Sequence, residues 1–99
     1  MPTDLRLVDP RELRLPGSRA GGADPLKLAR QISLFGGSAV GMPRPLVYEG
    51  LDGLFKIFNG VTRATRIAML APNTMIEVEV AGKLARRFHG DPKVGDFVP

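Results

Sequence analysis

The chain contains no cysteine. Disulfides, thiolate zinc sites and cysteine nucleophiles are therefore excluded. Histidine is almost as scarce. The single one, His89, lies in a Gly/Pro-rich tail and has no thiolate to complete a zinc set. No Ser-His-Asp constellation assembles around it, and it reads as a surface residue. Long apolar runs are missing too, since no stretch approaches the ~18 residues of a membrane span. The opening residues, Met1 to Arg6, hold no apolar core of a secretory signal. The expected location is the cytoplasm, with no membrane partner. Acidic residues are outnumbered, 10 against 14 Lys and Arg, giving a net charge of +4 and a pI near 10.1. Such a balance suits nucleotides, nucleic acids or acidic surfaces. It is equally consistent with unselected surface charge, because only Lys83, Arg86 and Arg87 cluster locally.

The 99 residues, 43% of them hydrophobic, fit one ordinary globular domain with a single core. Twelve glycines and nine prolines point to sharp turns between short elements. Leu5 to Val8 reads as a first strand, ended by Asp9-Pro10. Leu13 and Leu15 alternate with Arg14 as an extended continuation. Asp24-Pro25 is a strong helix start, and Gly36-Gly37 a stop. Between them Leu28, Ile32 and Phe35 form one stripe expected to be buried, with Lys27, Arg30 and Gln31 pointing elsewhere. Leu46 to Glu49 and Leu54 to Phe58 read as strands joined by the hairpin connection Gly50 to Gly53. The second of these is apolar at nearly every position, which predicts a central strand. Residues 61 to 71 read as a helix with Val61, Ala64, Ile67, Ala68 and Ala71 on one face. Ile76, Val78 and Val80 mark a half-buried strand. Lys83 to Phe88 is predicted as a short helix, and the tail after Gly90 as turn-rich. The expected fold is α+β: a small mixed sheet of about four strands with two packed helices. The expectation is one domain over 1–99, with a core at about 5–80 and a basic tail at 83–99.

The run Asn59-Gly60-Val61-Thr62-Arg63 joins an apolar strand directly to a helix. Glycine permits backbone angles closed to other residues and lets a ligand approach the main chain. The first helical N–H groups lack intrahelical partners and carry partial positive charge. With the Thr62 hydroxyl and the planar Arg63 cation, they make a seat for an anion such as phosphate. Arg66, one turn on, reaches the same region or the surface beyond. The same residues also serve as a plain cap and turn, and no Walker-type lysine motif is present.

The segment Phe55 to Arg63, the Ala-rich helix to Leu70 and the strand Ile76 to Val80 resemble the ParB/sulfiredoxin superfamily, in which Gly-x-x-Arg opens a helix after a strand. Leu7-Val8-Asp9-Pro10, the helix Asp24 to Phe35, and Pro43-Arg44-Pro45-Leu46-Val47 match the upstream elements, so the likeness spans residues 5 to 80. It implies that Gly60 and Arg63 contact phosphate. Thr62 stands where family members carry arginine or histidine, and Val61 where sulfiredoxins carry their cysteine, so that chemistry is ruled out. Lys27 resembles the lysine that sulfiredoxin-like proteins place near the nucleotide; as a helix lysine it also reads as solvated. The implied ligand is a nucleotide with Mg2+, held by Asn59, Gly60, Thr62, Arg63, Arg66 and Lys27. The 99 residues leave no room for a helix-turn-helix, so centromere binding is not expected. A looser likeness is to small ParB-like domains found alone or at the ends of bacterial polymorphic toxins.

Phosphoryl transfer needs a positioned base and charge neutralisation. Asp9, Glu12, Asp24, Glu49 and Asp52 are the available acids, all also explicable as surface carboxylates at turns. The family's sheet order would bring Asp9 and Glu12 nearest the site, which makes them the catalytic candidates. Glu77 and Glu79 alternate on a strand as a solvated face, and no resident metal site is expected. Lys83, Arg86, Arg87 and Lys93, around Phe88, form a basic patch that either tracks a nucleic-acid backbone or is a solvated end. Three functions stay open: nucleotide or phosphate binding, a nuclease or toxin domain, and a non-catalytic nucleic-acid- or protein-binding module.

Overall fold

A computed structural model describes residues 3–99; Met1 and Pro2, which open the N-terminal run, lie outside the described residues. The element order is β1 (Leu5–Val8), α1 (Pro25–Phe35), β2 (Leu46–Glu49), β3 (Phe55–Asn59), α2 (Val61–Leu70) and β4 (Ile76–Lys83). Three 3-10 turns, Pro10–Glu12, Gly17–Arg19 and Val94–Phe97, fill the connections and the tail. The four strands form one mixed sheet in the order β1-β4-β2-β3. β4 pairs antiparallel with β1 and parallel with β2, and β2 pairs antiparallel with β3. This is the small α+β architecture expected from the sequence.

The core lies between one face of the sheet and α2. Val47, Ile57, Ile76 and Val78 from the strands meet Val61, Ala64, Ile67 and Ala68 from the helix. Leu13 and Leu15, each 1% exposed, belong to the same cluster. Arg14 between them forms a bridge to Lys56, its N–H donating to the Phe55 carbonyl at 2.9 Å and its carbonyl accepting from Ile57 at 2.9 Å. Residues 13–15 thus add a rung outside β3.

Several expectations need correction. β3 is the last strand of the sheet, not a central one. Its apolar run arises because Phe58, 60% exposed, stacks edge-on against Tyr48 at 5.6 Å on the outer face, while Ile57 alone is buried. α1 does not lie on the core. It has no buried residue and leans on α2; Leu28, Gln31 and Ile32 are half-buried, whereas Phe35 is exposed. No helix forms at 83–88. β4 instead runs on to Lys83, because Gly82 and Lys83 continue the pairing with Tyr48 and Glu49 beyond a register shift.

The tail is integral to the fold. Phe88 and Val94 are fully buried. The Val94 N–H donates to Leu13 O at 2.9 Å and the Leu15 N–H to Pro92 O at 2.8 Å. Asp52, in the hairpin connection, accepts the N–H groups of Phe88 and His89, each at 3.0 Å.

Candidate functional site

Gly60 sits at the N-cap of α2 with φ of 114°, a left-handed conformation that side chains resist. A Cβ there would lie 2.9 Å from Pro45 and 3.1 Å from the Arg63 guanidinium. The residue is therefore fixed twice, by its backbone and by close approach. Its lack of a side chain leaves the first turn of α2 without a side-chain cap. The free N–H groups of that turn point out of the helix end.

A cleft of about 340 Å³ opens at this end. Asn59, Gly60, Val61, Thr62 and Arg63 form one side, Lys27 and Gln31 of α1 another, and Pro16, Ser18 and Arg19 a third. Of the expected residues, Asn59, Gly60, Thr62, Arg63 and Lys27 are thus brought together. Three cations line the cleft, Arg19 with an ion pair to Asp24 at 3.8 Å, and among the described residues no carboxylate lines it. Arg63 is braced across the turn. Its Nη1 donates to Pro43 O at 3.0 Å and its Nη2 to Asn59 Oδ1 at 3.2 Å. Burial pushes its pKa down from the ordinary value, but a guanidinium stays charged at neutral pH.

Arg66 does not reach the cleft. Its residue is 1% exposed, and Nη1 donates to Gly36 O at 2.8 Å and Ser38 O at 2.7 Å. It clamps the C-terminal end of α1, with Phe35 stacked 5.4 Å from the guanidinium carbon. Burial lowers its pKa as well. The sequence placed Arg66 beside Arg63 or on the surface beyond; the free carbonyls of Gly36 and Ser38 at the end of α1 draw it away instead.

Asp9 and Glu12 are not in the cleft. Asp9 caps the turn Pro10–Glu12, accepting from the Arg11 N–H at 2.9 Å. Arg11 in that turn donates to Ala68 O at 3.0 Å, which sets the turn beside the C-terminal half of α2. Ala68 lies seven residues beyond Val61, or about 10 Å along the helix from its N-terminal end. Glu12 faces Lys93 at 3.4 Å. The other acids are engaged too. Asp24 caps α1, Asp52 anchors the tail, and Glu49 lies between Arg6 and Lys83.

The basic tail patch is largely paired. Arg86 meets Asp91 at 2.9 Å, and Lys56 meets the same carboxylate at 2.8 Å. Both cations also stand 5.4 Å from the ring centre of buried Phe88. Glu77 pairs with Arg44, which leaves Glu79 no acidic partner for a metal; no cluster of three potential metal ligands occurs among the described residues.

Arg19 and Gln31, with Pro16, Ser18 and Phe58, are cleft residues that sequence reasoning missed. Gln31 had a usable signal, since it lies four residues after Lys27 and shares its helix face. Arg19 had none, because it arrives through a loop. No protein-family model matches the chain, and no curated protein matches it.

Proposed function

We propose that the chain is a ParB-like nucleotide- or phosphate-binding domain that seats an anion at the N-terminal end of α2. The reading is carried by one observation: three cations, Arg19, Lys27 and Arg63, line the cleft over an uncapped helix end, with no carboxylate among its lining residues. An anion there gains the helix dipole, free backbone donors and cations in a shared depression. Gly60 supports the reading, because a side chain at that position would crowd Pro45 and the Arg63 guanidinium. Gly60 and Arg63 hold the phosphate on this reading; Thr62 offers a hydroxyl, and Lys27 and Arg19 close the far side. A magnesium ion would arrive with the nucleotide's own oxygens.

The test is thermal unfolding with ATP, GTP, CTP and UTP, with and without magnesium. A nucleotide at about 100 times its dissociation constant should add about 2.7 kcal/mol of stability. Arg63→Ala should abolish that gain relative to its own unliganded baseline. A gain that persists in Arg63→Ala, or none with any nucleotide, rejects the seat.

A further inference from the structure

Asn59 and Gly60 form an Asn-Gly pair at the end of β3, and their surroundings favour chemistry within the chain itself. Asn59 is exposed. Its Oδ1 accepts a hydrogen bond from Arg63 Nη2 at 3.2 Å, so a fixed cation polarises the side-chain carbonyl. The next amide nitrogen belongs to a glycine, which sets no side chain against an approach to Asn59 Cγ. Among the described residues, that Gly60 N–H donates to no backbone carbonyl.

Electrophile, nucleophile and oxyanion donor thus stand side by side. The Gly60 amide nitrogen, giving its proton to base, attacks Asn59 Cγ and forms a new C–N bond. Negative charge develops on Oδ1, where Arg63 already donates, as an oxyanion hole would. The Cγ–Nδ2 bond then breaks, and Nδ2 takes up a proton and leaves as ammonia. Water opens the resulting succinimide at either carbonyl, giving aspartate or the isomer whose chain runs through the side chain. One water is consumed, one ammonia is released, and nothing is oxidised or reduced. Asn73, the other asparagine of the chain, lacks these aids: it precedes Thr74, whose branched Cβ hinders the same approach.

The product bears on the cleft. A neutral amide beside Arg63 leaves the guanidinium charge to a ligand, whereas a carboxylate there pairs with it. Arg19 is already paired with Asp24 at 3.8 Å. After conversion Lys27 would be the cleft cation left without an ion pair among the described residues. We propose that Asn59 is a self-modifying site, whose deamidation puts a carboxylate against Arg63 and shuts the anion seat, giving the protein a limited binding lifetime. This rests on the anion seat proposed above and supplies its regulation.

The experiment holds the folded protein at mildly alkaline pH and samples it over days. Mass spectrometry reads the tryptic peptide from Ile57 to Arg63, and calorimetry reads inorganic tripolyphosphate binding in the same samples. The peptide should acquire the mass of an amide-to-acid change while Asn73 stays an amide. The converted protein should bind tripolyphosphate about tenfold or more weakly than the fresh protein. Asn59→Gln, whose longer side chain closes a ring far less readily, should keep its own starting affinity through the same incubation. An Asn59 that stays an amide in the folded protein, while the urea-unfolded chain converts, overturns the site. Converted protein that binds as tightly as fresh protein overturns the regulation while the anion seat stands. Fresh protein that binds neither tripolyphosphate nor any nucleotide overturns the seat and its regulation together.

Discussion

Gly60 concentrates the demands of the site in one residue. It turns the chain from β3 into α2, admits Pro45 at van der Waals distance and leaves the helix end uncapped. Gly60→Ala should therefore destabilise the domain by about 1–3 kcal/mol from backbone strain, with a further loss from crowding against Pro45. The urea midpoint of the variant measures this; an unchanged midpoint would contradict a left-handed Gly60. The turn was legible in the sequence because its logic is local. Strand, glycine, first helical turn and arginine follow one another within nine residues, Phe55 to Arg63. Arg19 was not legible, since it lies about forty residues earlier in the chain and meets the cleft only through tertiary folding. Arg66 misled for the opposite reason. One turn beyond Arg63, it reads as a further hold on the same anion, and only the carbonyls of Gly36 and Ser38, carried in after α1, turn it into a buried clamp.

The two helices differ in how they are held. α2 buries Val61, Ala64, Thr65, Arg66, Ile67 and Ala68, whereas α1 buries nothing completely. α1 depends on its Asp24 cap at one end, the Arg66 clamp at the other and a half-buried stripe between. Local opening is cheapest where few apolar contacts must break. Amide hydrogen exchange should accordingly be faster in α1 than in α2, and on the proposed reading a saturating nucleotide should slow it, since Lys27 and Gln31 line the cleft. Equal protection in both helices before ligand addition would refute the loose docking. Helix and strand identities were readable from caps and periodicity. The position of β3 was not, because an apolar run signals burial on both faces, and here the outer face instead pairs exposed Phe58 with Tyr48. The end of β4 was hidden by Lys83, Arg86 and Arg87, whose spacing imitates an amphipathic helix while the backbone still pairs with β2.

At the scale of the whole molecule, the tail is held by carboxylates, of which Asp91 carries two cations. Asp91 is held below the usual carboxylate range, chiefly by its hydrogen bond from Lys56 and then by the charges of Lys56 and Arg86; partial burial opposes this. A lowered folded-state value means that its contribution is complete above the ordinary aspartate value of about 3.9 and is lost as pH falls through the folded value. Unfolding free energy should thus drop on acidification below about pH 4. In Asp91→Asn that part of the pH dependence should be absent, with overall stability reduced at neutral pH. Equal pH profiles for the two proteins would remove Asp91 from this role. The pairing of Val94 with Leu13 and of Pro92 with Leu15 has a temporal corollary. Leu13 and Leu15 leave the ribosome early, but the residues that cover them are made some eighty positions later. Contacts so distant along the chain slow folding, and until Val94 emerges the nascent sheet keeps an uncovered apolar flank, the interval in which a chaperone would find it.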